Sequence, residues 1–229
     1  MAQGHSPLNV CLLKSQVMFP FRRIAHWSPR YLYSRIRVEL FERKYGGPNL
    51  ATGAIEFLAQ WLKPTDVMLE YGSGYSTAWF GRRVSKVISI ENDPVWHSRV
   101  TQQLQQHKIR NVELHLLNEG PVLEGTHVGA AYISILQDYP PDFFDVVLND
   151  GWARPYVATR SDLVKPGGLF IWDDYAGSFP TESRIPGALP AGSVIHNGKL
   201  LQFMQNTRDW RRITWDDGVH STAFFFRAC

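Results

Sequence analysis

Val67-Met-Leu-Glu70-Tyr-Gly72-Ser73-Gly74-Tyr-Ser76-Thr77 is the stretch that decides the fold of this chain. A short apolar run ends in a carboxylate, Glu70. Two glycines follow, Gly72 and Gly74, and a helical pattern then opens on the hydroxyls Ser76 and Thr77. The order is strand, tight glycine turn, helix start. Glycine suits the turn because, without a Cβ, it accepts sharp bends and lets a ligand approach the main chain. The unpaired N–H groups of a helix start suit an anionic or polar ligand.

Dinucleotide sites share this layout, and a lone Gly-x-Gly is a weak signal. Two features separate the ligands. Thr77 stands where a third glycine would fall, and Glu70 ends the strand beside the turn. A pyrophosphate would be repelled by that carboxylate, whereas the ammonium and sulfonium of S-adenosylmethionine would be attracted. Nucleotide folds place a second acid about twenty residues further on, for the ribose hydroxyls. Here Lys86-Val-Ile-Ser-Ile90-Glu91 is a β-branched run ending in a carboxylate, so Glu91 is the ribose candidate.

Glu70-Tyr-Gly-Ser-Gly-Tyr-Ser-Thr77 followed by Ile90-Glu91-Asn92-Asp93-Pro94 resembles motifs I and II of class I S-adenosylmethionine-dependent methyltransferases, and the resemblance covers roughly residues 50 to 229. It implies S-adenosylmethionine as cofactor, held by Glu70, Gly72, Ser73, Gly74, Ser76, Thr77, Glu91 and Asn92, with Asn118 near the adenine.

The rest of the chain alternates in the same way. Helical spacing runs over Ala51 to Leu62, Ser76 to Val84, Trp96 to Gln106 and Tyr156 to Leu163. Strand patterns run over Val67 to Glu70, Val87 to Glu91, Val112 to Leu117, Asp145 to Asn149 and Leu169 to Trp172. The tail reads as two strands, Arg212 to Trp215 and Thr222 to Arg227, around Asp216-Asp217-Gly218. The expected fold is α/β: a doubly wound, mostly parallel seven-stranded sheet with an antiparallel C-terminal hairpin, binding ligands at the strand C-termini. Ala176 to Gly198, rich in Pro, Gly and Ser, reads as a lid or specificity loop after strand five.

The chain of 229 residues suits one such domain, taken as 49–229, behind an N-terminal extension, 1–48. That extension has no acid before Glu39 but carries Lys14, Arg22, Arg23, Arg30, Arg35 and Arg37 among aromatics. Its order does not fit a secretory signal. An Arg-rich transit peptide and a membrane-surface role are alternatives to a helical cap over the cleft or a homodimer face. Ser28-Pro29 would start such a helix, through Tyr31, Ile36 and Leu40. Cys11 and Cys229 form no disulfide framework, so a reducing compartment, the cytoplasm, is expected. No apolar run approaches a transmembrane span, and a net charge of +3 argues no nucleic-acid partner.

Strand four ends Leu148-Asn149-Asp150-Gly151-Trp152 and strand five ends Ile171-Trp172-Asp173-Asp174-Tyr175, which brings three carboxylates to one edge of the cleft. Like charges so close need a reason, and a divalent cation would supply one. The placement is similar to that in metal-dependent catechol-type O-methyltransferases, which implies metal ligands at Asp150, Asp173 and Asp174. Ala153 departs from that pattern, since the family's catalytic lysine stands there. A broader group of bacterial class I methyltransferases has Asp-Gly after strand four and Asp-Asp after strand five, and implies no metal. The metal is therefore left open.

Methyl transfer from a sulfonium is an in-line displacement that depends on proximity, with a base for an oxygen or nitrogen nucleophile. Asp150, Asp173 and His220, in the turn before the last strand, are the catalytic candidates. The expected activity is methylation of a small molecule, O-methylation ahead of N-methylation. No Asn-Pro-Pro-Tyr motif or basic stripe in the core points to nucleic acid. The alternatives are an NAD(P)-dependent oxidoreductase, disfavoured by Glu70, Thr77 and the lack of Tyr-x-x-x-Lys, and a methyltransferase-like binding protein without turnover.

Overall fold

Apolar residues alternate sides along each central strand, and this sorts the core into two layers. The computed structural model describes residues 47–229 and, ahead of them, only Tyr33 and Ile36, both helical. The rest of the basic extension, its helix after Ser28-Pro29 and any pairing of copies through it lie outside the described residues. In β1 (Val67–Tyr71), Leu69 and Tyr71 face one layer and Met68 the other. In β5 (Val164–Asp173), Phe170 and Trp172 face the first layer, and Leu169 and Ile171 the second. A strand buried on both faces belongs to a sheet covered by helices on both sides.

The sheet has seven strands in the order β3-β2-β1-β4-β5-β9-β8, with β2 (Lys86–Glu91), β3 (Val112–Leu116), β4 (Phe144–Asn149), β8 (Arg211–Asp216) and β9 (Ser221–Phe226). Strands β1 to β5 are parallel, while β9 runs antiparallel to both β5 and β8. The doubly wound sheet with its antiparallel C-terminal hairpin is therefore present. Strand order reverses between β1 and β4, and a ligand crevice opens at such a switch point.

Helix α1 (Thr52–Trp61) and α2 (Tyr75–Gly81) cover the second layer through Ala54, Leu58, Trp79 and Phe80. Helix α1 ends on its C-cap Leu62, which is extended at φ −63° and ψ 140°, two residues before Pro64. Helix α3 (Pro94–Gln106) starts at Pro94, two residues before the expected Trp96, because Asp93 caps it from Oδ1 to the N–H groups of Val95 and Trp96. On the other face lie α4 (Ala131–Ser134) and α5 (Arg154–Ala158). The expected helix to Leu163 breaks after α5 into a short 3₁₀ turn.

Strand β5 begins at Val164, five residues before the expected Leu169, and takes in Lys165-Pro166-Gly167-Gly168. The segment after it is more ordered than a bare lid. It forms α6 (Tyr175–Ser178) and the short parallel pair β6 (Pro180–Thr181) and β7 (Leu189–Pro190). Helix α7 (Gly198–Asn206), absent from the sequence reading, follows, with Asn197 as its N-cap. Phe203 of α7 is fully buried, with ring centroids 5.1 Å from Phe170, 5.1 Å from Trp172 and 4.9 Å from Phe225.

Two glycines allow the strand ends at the switch point to cross. Gly72 has φ +87°, and a Cβ there would lie 2.9 Å from the Asp150 carbonyl carbon. A Cβ on Gly151 would run into the hydroxyl of Tyr132 and reach within 3.1 Å of its ring. Tyr132 is fully buried and packs edge-on against Tyr71, 5.2 Å between centroids, so it has no room to retreat. Gly151→Ala is expected to cost about 1–3 kcal/mol by overpacking. Tyr132→Phe in the same chain should recover part of that loss, so the two changes are non-additive. Urea unfolding of the two single variants and the double variant measures this. Strict additivity would contradict the contact.

Candidate functional site

Glu70 lies at the end of β1 with no solvent exposure, and three hydroxyls donate to its carboxylate. Ser76 bonds Oε1 at 2.6 Å, while Thr77 and Ser89 each bond Oε2 at 2.6 Å. Thr77 also accepts the N–H of Gly74 at 2.9 Å. A relay therefore runs from the glycine turn through Thr77 to Glu70. The threonine at the third-glycine position is part of the turn's support. Ser89 faces Glu70 across β1 and β2 in register, a polar residue inside Val87-Ile88-Ser89-Ile90. The sequence reading missed it, and that single hydroxyl in an apolar strand was the available signal. Burial pushes the Glu70 carboxyl up to about 7 against the opposing effect of the three hydroxyl bonds.

Glu91, at the end of β2, is also buried but not closed off. Its Oε1 accepts the N–H groups of Asn92 and Asp93 at 2.8 and 2.9 Å, and its Oε2 accepts Ser73 Oγ at 2.8 Å. A carboxylate offers about four acceptor positions, so one remains on Oε2. Ser73, Gly72 and Gly74 thus sit directly beside Glu91. Trp96, which the sequence reading did not assign, clamps the turn by donating Nε1–H to the Ser73 carbonyl at 2.5 Å. Asn92 is buried next to Glu91. Asn118 is exposed after β3, and its Oδ1 accepts the N–H of Gly129 at 2.9 Å.

The carboxylates of β4 and β5 do converge. Asp173 is buried, accepts Thr222 Oγ1 at 3.1 Å, and is in hydrogen-bond contact with Asp150. Thr222 in turn accepts the N–H of Ala51 at 2.9 Å, which ties the start of α1 to the cluster. Burial, then the neighbouring Asp150 and Asp174, hold the Asp173 carboxyl well above the usual range. Burial also raises Asp150, against the pull of Arg154, although 26% of its side chain meets solvent. Asp173 is the deeper member of the pair, and its carboxyl is pushed up the more strongly. Asp150 is then the carboxylate able to accept a proton.

Arg154 stands inside this cluster. Its Nη2 lies 2.8 Å from Asp150 Oδ1 and 3.3 Å from Asp174 Oδ2. Asp174 adopts φ +53°, a left-handed conformation that Asp tolerates at a small cost, and 64% of its side chain is exposed. Each of the three carboxylates has a partner within the chain. One is engaged by Thr222 and the Asp150 carboxyl, and the other two are bridged by a guanidinium. No group of three or more His, Cys, Asp or Glu able to hold a metal occurs among the described residues. His220 lies in the β8–β9 turn, where its N–H donates to Asp217 Oδ1 at 2.9 Å.

By sequence, no family profile and no curated protein matches the chain. Solved structures match by fold. A proposed O-methyltransferase from Klebsiella pneumoniae aligns over 88% of this chain and 91% of its own, at 20% identity and a TM-score of 0.52. A methyltransferase from Geobacter sulfurreducens aligns over 93% and 90%, at 14% identity and a TM-score of 0.52. A proposed rRNA methylase from Clostridium thermocellum aligns over 80% and 98%, at 12% identity and a TM-score of 0.52. The fold is that of the class I, Rossmann-like methyltransferases.

The raised Glu70 carboxyl has a thermodynamic consequence. Its folded pKa of about 7 exceeds the ordinary 4.5, so the folded state holds the proton more tightly. That contribution is complete below the unfolded pKa and is lost as pH rises through about 7, roughly 3 kcal/mol at most. Wild type is expected to lose about 2–3 kcal/mol more than Glu70→Gln between about pH 5 and about pH 8 in urea unfolding. Parallel pH profiles would show that Glu70 does not titrate in this range.

Proposed function

We propose that this protein is an S-adenosylmethionine-dependent methyltransferase acting on a small molecule, with an oxygen nucleophile as the first choice. The observation that carries the reading is Glu91, held beside the Gly72-Ser73-Gly74 turn with one acceptor position left, at the switch point of a sheet closed by an antiparallel hairpin. A dinucleotide-binding sheet of the usual kind runs parallel to its sixth strand. Here β9 runs antiparallel to β5, which weighs against the NAD(P) alternative.

In this reading Glu91 holds the ribose hydroxyls, Gly72 and Gly74 let the cofactor approach the backbone, and Ser73 and Asn92 shape the pocket rim. Asn118 is the adenine-side candidate. Glu70 acts from beneath, because its carboxylate is taken by Ser76, Thr77 and Ser89. The cofactor supplies an activated methyl group, and the protein's task is to align the acceptor and take its proton. Asp150, backed by the Asp173 carboxyl, is the group placed for that. His220 is a second candidate at the same sheet edge. The acid cluster favours a neutral or cationic small acceptor over a polyanion. Among the described residues no helix is long and apolar enough to cross a membrane. A chain whose two cysteines stand near opposite ends of the sequence suits the reducing cytoplasm.

Calorimetric titration with S-adenosylhomocysteine and with NAD(H) tests the proposal. Micromolar binding of S-adenosylhomocysteine is expected, weakened about tenfold or more in Glu91→Gln, a loss of about 1.4 kcal/mol. Glu91→Gln keeps an oxygen for the Asn92 and Asp93 N–H groups, so the turn should survive. Binding of NAD(H) alone would overturn the reading.

A further inference from the structure

We propose that the guanidinium of Arg154 is the resident cation of the Asp150–Asp173–Asp174 cluster and occupies the place that a divalent ion would need. Nη2 carries two protons, and the structure gives each an acceptor, Asp150 Oδ1 at 2.8 Å and Asp174 Oδ2 at 3.3 Å. These two oxygens come from different strand ends, so one planar group bridges the mouth of the cleft. Arg154 sets a cation that never deprotonates against these carboxylates, so part of the cluster's negative charge is offset without a metal.

The position of Arg154 is built into the chain. It is the first residue of α5, followed by Pro155, and it lies four residues after Asp150. Asn149, the last residue of β4, donates Nδ2–H to the Arg154 carbonyl at 3.0 Å, which fixes the backbone that carries the guanidinium. Only 19% of the Arg154 side chain is exposed, so water screens the bridge weakly. The donor set also argues against a hard cation. Magnesium requires near-ideal octahedral oxygens and calcium six to eight. Asp173 gives one oxygen to Thr222 and contacts Asp150 with its carboxyl.

The consequence concerns the acceptor. A site with a divalent ion selects molecules with two adjacent oxygens that chelate it. A guanidinium–carboxylate site asks only for one nucleophile that hydrogen-bonds to Asp150. Arg154 is therefore a positioning residue that sets the Asp150 carboxylate.

Terbium luminescence of the full chain is the test, since Trp152, 63% exposed and two residues from Asp150, can sensitise an ion held there. The measured quantity is the emission that Asp174→Asn removes. Wild type is expected to show none, and magnesium should leave its melting temperature unchanged. Arg154→Gln should show that emission, still at terbium concentrations about tenfold below the highest at which wild type shows none, because the competing positive charge is gone. Arg154→Lys, which keeps the charge, should stay near wild type. Wild-type terbium or magnesium binding that Asp174→Asn abolishes would overturn the proposal. So would an Arg154→Gln variant that gains no affinity.

Discussion

The buried carboxylate of Glu70 is the constraint on which the site depends. An acid taken fully out of water is costly unless donors meet both of its oxygens. Three hydroxyls meet that demand: Ser76 and Thr77 from the first turn of α2, and Ser89 from the middle of β2. One side chain thereby joins β1, β2 and α2 at the point where the glycine turn leaves the sheet. Thr77 extends the bond to Gly74, and Trp96 of α3 closes the turn from the other side at Ser73. The turn is held from beneath and from the flank, and Glu91 lies against it. Rigid support of this kind lets a few N–H groups and one carboxylate act as a binding surface.

A second polar network sits across the crevice. It runs from the Ala51 N–H through Thr222 and Asp173 to Asp150, Arg154 and Asp174. The antiparallel hairpin matters here because it supplies Thr222, in register with Asp173. The sheet edge that distinguishes this fold from a parallel dinucleotide sheet is thus part of the second half of the site. In the proposed function, one network supports the turn that meets the cofactor, and the other holds the carboxylate that takes the acceptor's proton.

Much of this was legible in the sequence because the β-strands carry their own signal. Val67 to Glu70, Val87 to Glu91 and Leu169 to Trp172 are apolar runs ended by acids or polar turns, and both strand ends and acids fall where expected. What stayed hidden depended on long-range partners. Glu70 reads as a group facing a cationic ligand, and only the register between β1 and β2 reveals Ser89 opposite it. Arg154 has no role legible in the sequence, yet its charge bridges two acids twenty-four residues apart in the chain. Helix α7 was missed because Gly198 opens it after a Pro- and Gly-rich stretch, although Leu200 and Phe203 lie three apart on its buried face. Lys165 to Gly168 carries turn residues and is an irregularity in the β4 register, yet Gly167 and Gly168 still exchange backbone bonds with Arg227 just after β9.

A crystal structure of the full chain with S-adenosylhomocysteine bound tests the central claim most directly. The account predicts the ribose hydroxyls on Glu91, the homocysteine portion along Gly72 to Gly74, and Glu70 still bonded to Ser76, Thr77 and Ser89 with no ligand atom in contact. A ligand seated elsewhere, or a Glu70 carboxylate turned out of its three hydroxyl bonds to hold the ligand's ammonium, would contradict it.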